Sequence, residues 1–168
     1  MKRTLIFTIL IVLLSACGQV YFTTPQPTKG VTVKSFIADL QGFYADSTLE
    51  IEVLKNELLV KGDTFRLSGK TPDENEVLVK YYKKFYFASF VDSQYFSVYM
   101  ANFYDNKLAV YMLNADAQSI TVLNKFLKVD TLNAKDEHYL INPSKKEFDQ
   151  LVDYELFEVI GVLEKQVK

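Results

Sequence analysis

The fold is decided by residues 77–113, which read VLVKYYKKFYFASFVDSQYFSVYMANFYDNKLAVYML. This stretch holds half of the chain's Phe and Tyr residues, and short apolar runs alternate in it with pairs of polar residues. Aromatic and β-branched residues between polar turn residues are typical of β-strands. We therefore predict four consecutive antiparallel strands, at residues 77–82, 85–90, 94–103 and 107–113.

Two details of this stretch predict how the strands are connected. Asp105-Asn106 tolerates the left-handed backbone of a two-residue turn, so the last two strands should form a hairpin. Lys83-Lys84 separates the first two strands either as a turn or as a bulge within one longer strand.

Both faces of the strand 94–103 are apolar, which indicates a strand that is covered on both sides. One face carries Tyr95, Tyr99 and Phe103, and the other carries Phe96, Val98 and Met100.

Hydrophobic periodicity extends the sheet to both sides of this stretch. Leu49-Glu50-Ile51-Glu52-Val53 alternates strictly between apolar and acidic residues, as a half-buried antiparallel strand requires. The strand 156–164 is apolar on both faces, so we expect it to pair within the sheet. The remaining predicted strands are 58–61, 64–67 and 138–141, together with one that begins at Gly42-Phe43-Tyr44.

Helix signals are few. Ser144 and Glu147 form a capping box, which predicts a helix over the residues that follow. Asp116 can cap a second helix at 117–128, although the β-branched run 120–122 leaves a strand as the alternative. A helical turn is predicted at 35–41 with Ser35 as its cap. The fold class is therefore α+β: a mainly antiparallel meander, open or curved into a partly closed barrel, with two or three short helices.

The N-terminus has the three parts of a secretory signal. Lys2 and Arg3 give it positive charge, residues 5–14 are almost entirely apolar, and Ser15-Ala16 supplies small residues before a cleavage site. Ten helical residues reach roughly 15 Å, which is about half of a hydrocarbon core of about 30 Å. We therefore predict a cleaved signal peptide at residues 1–16 and not a transmembrane helix.

The four residues Leu14-Ser15-Ala16-Cys17 resemble the lipobox of bacterial lipoproteins. The resemblance implies cleavage after Ala16, a diacylglyceryl thioether on Cys17, and a further acyl chain such as palmitate on the new amino terminus. Two or more acyl chains would anchor the protein stably to a membrane. Cys17 is the only cysteine, so no intrachain disulfide is available to it. The alternative is an ordinary secretory signal that happens to precede a cysteine.

Residues 17–34 contain Pro25, Pro27 and Gly30 and no helical period. We predict a lipidated N-terminus and flexible tether at 17–34, followed by a single α+β domain at 35–168. The uncharged residues after Cys17 lack the acidic side chains that, by resemblance to lipoprotein sorting rules, retain lipoproteins at the inner membrane or send them to the cell surface. This favours the outer membrane, facing the periplasm, with the cell surface as the alternative.

Two further short motifs resemble motifs of known protein groups. Phe22-x-x-Pro25-Gln26-Pro27, followed by Leu40-Gln41-Gly42-x-Tyr44, resembles the start of a group of small Gram-negative envelope lipoproteins whose function is not established. That resemblance implies architecture only. Gly42-Phe43-Tyr44 resembles the Gly-x-aromatic opening of lipocalin-like barrels, with Tyr in place of their Trp.

The composition offers little catalytic chemistry. His138 is the only histidine, the 6 glycines are scattered, and no nucleophile or phosphate-binding motif is present. A formal net charge of −2 argues against nucleic acid. We predict no catalytic residue, no metal and no cofactor. Glu50 and Glu52 are interpreted as a solvated strand face, and His138 as a structural residue.

Two functions remain for a chain of this kind. The first hypothesis is a non-enzymatic lipoprotein, held at the membrane by Cys17, that acts through contacts with another envelope protein. The second is a lipocalin-like binding module, because aromatic residues at the density of the 77–113 stretch can line a pocket for a lipid or another apolar small molecule. A filled core is the simpler interpretation of the same aromatic residues. The presence or absence of a cavity separates these interpretations.

Overall fold

The computed structural model describes residues 18–166, so Cys17 and the predicted signal peptide lie outside the described residues. The described chain forms 13 strands, one turn of 3-10 helix at Ala38–Leu40, and two α-helices, α1 (Ala117–Leu123) and α2 (Lys145–Asp153). The strands are β1 (Gln19–Phe22), β2 (Val31–Thr32), β3 (Gly42–Ala45), β4 (Glu50–Val53), β5 (Glu57–Val60), β6 (Asp63–Leu67), β7 (Glu76–Tyr82), β8 (Phe85–Asp92), β9 (Tyr95–Tyr104), β10 (Lys107–Leu113), β11 (Val129–Asn133), β12 (His138–Ile141) and β13 (Phe157–Lys165).

Nine of these strands close into a barrel, in the order β10-β13-β3-β4-β5-β6-β7-β8-β9, and pairing of β9 with β10 completes the ring. All neighbours are antiparallel except β6 and β7, which share a short parallel contact at Arg66↔Glu76 and Leu67↔Val77. Closure satisfies the strand edges that an open sheet leaves unpaired. The α+β class and the mainly antiparallel, closed sheet are thereby confirmed.

A side sheet leaves the barrel at the start of β9. The first residues of β9 pair with β1 at Phe22↔Phe96, whereas β10 pairs with β9 from Tyr99 onward. β1 pairs in parallel with β12, and β12 pairs with β11. The side sheet and the helices cover the outer face of β8 and β9, so both faces of β9 are packed, as its two apolar faces predict.

The chain therefore has two cores. The outer core lies between the barrel wall, the side sheet and the helices, and contains the fully buried rings of Phe22, Phe87 and Phe148. The ring of Phe87 lies 5.3 Å from that of Phe148 and 5.9 Å from that of Phe157. The inner core lies within the barrel and holds Tyr44, Val53 and Leu163 among its buried residues.

Local signals in the sequence set several of these boundaries. Asp105 and Asn106 have φ angles of 47° and 59°, so the predicted hairpin turn is confirmed. Lys83 and Lys84 have φ angles of 48° and 72° and form a turn between β7 and β8, not a bulge. Ser144 and Glu147 form the predicted capping box at the start of α2. Asp116 accepts a hydrogen bond from the Ser119 amide at 2.8 Å and caps α1.

The predicted flexible tether is wrong for the described part of residues 17–34. Residues 19–22 form β1, the residues of β2 pair with β7, and the side chains of Val20 and Phe22 are buried. Lys80 Nζ donates to the carbonyl of Pro27 at 2.8 Å, which fixes the loop between the two strands. The segment is held by partners about 50 or more residues away in sequence, and its own short alternation does not reveal them.

Three smaller predictions also need correction. The helical turn predicted at 35–41 is shortened to Ala38–Leu40, its N-cap is Ile37, and no side chain caps it. Helix α1 ends at Leu123 instead of residue 128, and the strand alternative for 120–122 is wrong. Strand β11 has no counterpart among the predictions, because four of its five residues are exposed and show no apolar alternation.

One contact between helix α2 and the barrel has a measurable pH dependence. Tyr82 Oη donates to Asp149 Oδ1 at 2.6 Å, and Lys83 Nζ lies 2.7 Å from Asp153 Oδ1. The Tyr82 hydrogen bond holds the pKa of Asp149 below its ordinary value of 3.8, with a further contribution from the charge of Lys83. The contribution of the ionised Asp149 to the free energy of unfolding is therefore complete above pH 3.8. It is lost as the pH falls through the lowered pKa of Asp149.

We expect Tyr82→Phe to lower the free energy of unfolding by about 1–2 kcal/mol at pH 7, because a hydrogen bond to a charged acceptor is removed. The difference from the unmodified protein should narrow below pH 3.8, where Asp149 becomes protonated. Urea unfolding at several pH values measures both effects. Tyr81→Phe is the matched control, since Tyr81 is exposed and its hydroxyl makes no hydrogen bond within residues 18–166. Equal losses in the two variants would contradict the prediction.

Candidate functional site

The interior of the barrel contains a cavity of about 420 Å³. Alternate residues of each strand face the inside, because side chains along a strand point to opposite faces. The aromatic-rich strands β8 and β9 line one wall with Tyr86, Ala88, Phe90, Tyr99, Ala101 and Phe103. Strands β4 and β5 line the opposite wall with Ile51, Val53, Leu58 and Val60. The cavity is therefore bounded almost entirely by apolar atoms.

Two alanines keep this space open. Ala88 lies directly across the β8–β9 ladder from Tyr99, and Ala101 lies across from Tyr86. The rings of Tyr86 and Tyr99 thus each face a methyl group on the neighbouring strand. A second large side chain at either position would extend into the cavity, since both alanines line it.

One end of the barrel is closed by residues 33–41. The Phe36 amide donates to the carbonyl of Lys55 at 2.8 Å, in the turn between β4 and β5. The ring of Phe36 lies 6.3 Å from that of Tyr86, which in turn lies 5.4 Å from the ring of Phe103. Tyr44 Oη donates to the Leu40 carbonyl at 2.9 Å and ties β3 to the same segment. The rings of Tyr86 and Phe103 form the floor of the cavity, and Phe36 packs against Tyr86.

The other end of the barrel is the mouth. The turns β3–β4, β5–β6 and β8–β9 all lie at this end, because neighbouring strands alternate in direction around the barrel except at the parallel pair β6–β7. Leu49, Lys61 and Asp92 stand in or beside these three turns and line the cavity. Ile160 also lines it, and its side chain is 45% exposed. An exposed isoleucine at this position indicates that the cavity opens to solvent here.

Hydrogen bonds to a carboxylate fix the turn beside Leu49. Asp46 Oδ1 accepts from the amide of Thr48 at 2.6 Å and from the amide of Leu49 at 2.8 Å. These two bonds and a third from the Thr48 hydroxyl hold the pKa of Asp46 below its ordinary value. The rim is therefore ordered where Leu49 lines the cavity.

A short polar chain runs along the mouth. Gln19 Nε2 donates to Ser97 Oγ at 2.7 Å, and Ser97 Oγ donates to Asp92 Oδ2 at 3.5 Å. Ser97 and Asp92 both line the cavity, and Gln19 belongs to β1. Burial raises the pKa of the Tyr99 hydroxyl, and the nearby charge of Asp92 raises it further. This chain is the main polar feature of an otherwise apolar site.

The acidic pair of β4 and the histidine that the sequence analysis considers lie outside this cavity. Glu50 is exposed and Glu52 half-buried, while Ile51 and Val53 face the inside, so the predicted alternation of β4 is confirmed. His138 is half-buried in β12, with its ring 5.6 Å from that of Tyr21. Cys17, the predicted lipidation site, lies outside the described residues and stays a prediction.

The described chain offers little support for a site elsewhere. A second depression, of about 370 Å³, is lined by Arg66, Asp73, Glu74, Asn75 and Glu76. It is a solvated loop surface, since all of these residues except Glu76 are exposed. Residues 18–166 contain no group of three or more His, Cys, Asp or Glu side chains that could hold a metal ion.

The residues that shape the cavity carry a faint signal in the sequence. Tyr86-x-Ala88-x-Phe90 and Tyr99-x-Ala101-x-Phe103 each place a small residue between two aromatic residues on one strand face. An alanine between two aromatic residues fills less volume than a third ring would, so this pattern indicates space beside the rings. Asp92, Ser97 and Lys61 are single polar residues near turns and give no such signal.

No helix within residues 18–166 is both long enough and apolar enough to cross a membrane. Comparisons of the chain with protein-family models, with curated proteins and with solved structures gave no match.

Proposed function

We propose that this protein is a membrane-anchored carrier that binds an apolar small molecule, such as a lipid acyl chain, inside its barrel. The observation that carries the proposal is the cavity of about 420 Å³ between the walls of β4–β5 and β8–β9. Its volume falls within the range of small-molecule sites, about 300–1,000 Å³. In this proposal the protein is a binding module and not an enzyme.

The lining of the cavity explains why an apolar ligand would bind. Aliphatic side chains and aromatic rings offer no hydrogen bonds to water, whereas each methylene moved out of water into such a site contributes about 0.8 kcal/mol. A chain of eight methylenes would gain about 6 kcal/mol by this term, before the costs of association are subtracted. The floor formed by Tyr86 and Phe103 limits how deep such a chain can reach.

The predicted anchor supports an exchange of ligand with the membrane. Cys17 is followed by Gly18 and then by Gln19, whose side chain bonds Ser97 at the mouth. Two Cα–Cα steps span at most about 7.6 Å. Lipid on Cys17 would thus tie the membrane surface to the side of the domain on which the cavity opens. We propose the outer membrane, on its periplasmic face, as the site of this attachment.

Cys17→Ser should abolish lipid attachment, because the thioether requires sulfur. We expect the variant either to accumulate as uncleaved precursor or to appear in the soluble fraction. Membrane fractionation and intact-mass spectrometry measure both outcomes, and the mutated residue leaves the described domain untouched. A variant that is processed and sediments with membranes like the unmodified protein would count against the anchor.

Ligand extraction tests the carrier function directly. The full chain is purified in a mild detergent, extracted with organic solvent, and the extract is analysed by mass spectrometry. The emptied protein is then titrated with N-phenyl-1-naphthylamine, whose fluorescence rises in apolar sites. We expect a co-purified apolar molecule or saturable binding of the dye with one site per chain. If no apolar molecule co-purifies and the dye shows no saturable binding, the proposal is refuted.

A protein partner is the second candidate, and one surface favours it. The outer side of β13 exposes Val159 by 55% and Val162 by 41%, beside the exposed Ile160. Neighbouring exposed aliphatic residues on a strand are a feature of protein-binding surfaces. Chemical crosslinking in envelope extract, with Val162→Glu as the variant, tests this candidate. Crosslinked species of equal amount in both proteins would argue against this surface.

A further inference from the structure

We propose that the cavity selects ligands whose polar end donates hydrogen bonds or carries a positive charge, and that Asp92 accepts that end. This inference rests on the carrier function and specifies the class of its ligand. An amphiphile with an amine or hydroxyl head and an apolar chain fits this description. A fatty acid, whose head is a carboxylate, does not.

The position of Asp92 is the first argument. It is the last residue of β8 and lies on the same strand face as Ala88 and Phe90, which line the cavity. A ligand with its chain between the walls would therefore place its head beside this carboxylate. The side chain of Asp92 is half-buried, so its charge is less screened by water than a charge on the open surface.

The unused bonding capacity of Asp92 is the second argument. A carboxylate can accept about four hydrogen bonds. Among residues 18–166 Asp92 accepts a single long one, from Ser97 at 3.5 Å, and it forms no ion pair. Ser97 cannot serve as a donor to both Asp92 and a ligand, because its hydroxyl has one proton. Asp92 thus keeps acceptor sites that no residue of the described chain fills.

The aromatic surroundings are the third argument. Tyr95 is the cross-strand partner of Asp92, and the ring of Tyr21 lies 6.3 Å from that of Tyr95. Electron-rich ring faces attract cations, most strongly in sites from which water is excluded. Tyr99 adds a hydroxyl inside the cavity that has no hydrogen-bond partner within the described chain. Rings and carboxylate together favour a positive or donating head.

Lys61 is the one cation of the lining and would favour the opposite ligand. It lies in the β5–β6 turn, is exposed, and forms no ion pair with Asp92. A solvated ammonium group on a long flexible side chain contributes little to a specific contact. The half-buried carboxylate is therefore expected to decide the preference.

Competition between ligands that differ only in their head tests the inference. Dodecylamine, dodecanol and dodecanoate are each used to displace N-phenyl-1-naphthylamine from the full chain at pH 7, below their micellar concentrations. We expect the amine to compete at least tenfold more strongly than the carboxylate, with the alcohol between them. In Asp92→Asn the difference between amine and carboxylate should fall to less than threefold.

Two variants serve as controls. Asp63→Asn removes the same charge from the exposed first residue of β6, outside the cavity lining, and should keep the preference for the amine. Lys61→Met removes the one cation of the lining and should keep or increase that preference. Equal competition by all three heads, or a preference that is lost with Lys61 or Asp63 and not with Asp92, would overturn the inference while the carrier function stands. Failure of the dye to bind, or of every ligand to displace it, would instead refute the carrier function.

Discussion

Phe22→Ala is expected to lower the free energy of unfolding by about 3–5 kcal/mol, the usual effect of truncating a buried aromatic ring. Phe22 is fully buried in the outer core, and its strand joins β9 to β12. Since a domain of this size is stabilised by about 5–15 kcal/mol in total, the loss would leave the fold marginal. Urea or guanidinium unfolding of the purified protein, followed by circular dichroism, measures it.

Val31→Ala is the control from the same N-terminal segment, because the side chain of Val31 is 70% exposed. Its expected cost is below about 0.5 kcal/mol. The comparison separates a folded N-terminal segment from a tether. If residues 19–34 were a tether, Phe22→Ala would be as mild as the control, so similar unfolding midpoints in the two variants would contradict the structure described here.

The four central strands, which sequence patterns predict correctly, have partners nearby in the chain. β7, β8, β9 and β10 follow one another as hairpins, so their pairing needs only the alternation of side chains and suitable turn residues such as Asp105-Asn106. The helix start at Ser144 is equally local, because its capping box spans four residues. Such signals depend on neighbouring residues alone.

Two of the strands that sequence patterns miss, β1 and β2, have distant partners. β1 pairs with β12 at Gln19↔His138, which are separated by most of the chain. The alternation of Val20 and Phe22 is present, but four residues next to Pro25 and Pro27 are too few to distinguish a strand from an extended tether. Burial of these residues arises only once the outer core has assembled around them.

The candidate site could be anticipated only in part. Aromatic density in the 77–113 stretch indicates either a filled core or a lined pocket, and the structure contains both, on opposite faces of β8 and β9. Which face is hollow depends on barrel closure and on the summed side-chain volumes of all nine strands. Ala88 and Ala101 can be recognised as residues that shape the cavity only when the strand register is known, because it places them opposite Tyr99 and Tyr86.

Ala101→Phe is expected to weaken binding of N-phenyl-1-naphthylamine at least tenfold while the barrel stays folded. Ala101 is half-buried on the inner face of β9 and lines the cavity, so the added ring would occupy space that the ligand needs. Filling an existing void adds apolar contacts without removing any, so we expect a change in the free energy of unfolding of less than about 1 kcal/mol. Dye titration and urea unfolding of the same preparation measure the two quantities.

Asn102→Phe is the matched control, because it places the same ring on the adjacent residue of β9, where side chains point away from the cavity. Its dye affinity should equal that of the unmodified protein within a factor of two. Equal loss of affinity in both variants would indicate a general disturbance of β9. Full affinity in Ala101→Phe, with the fold intact, would show that the dye binds elsewhere and would remove the interior of the barrel as the ligand site.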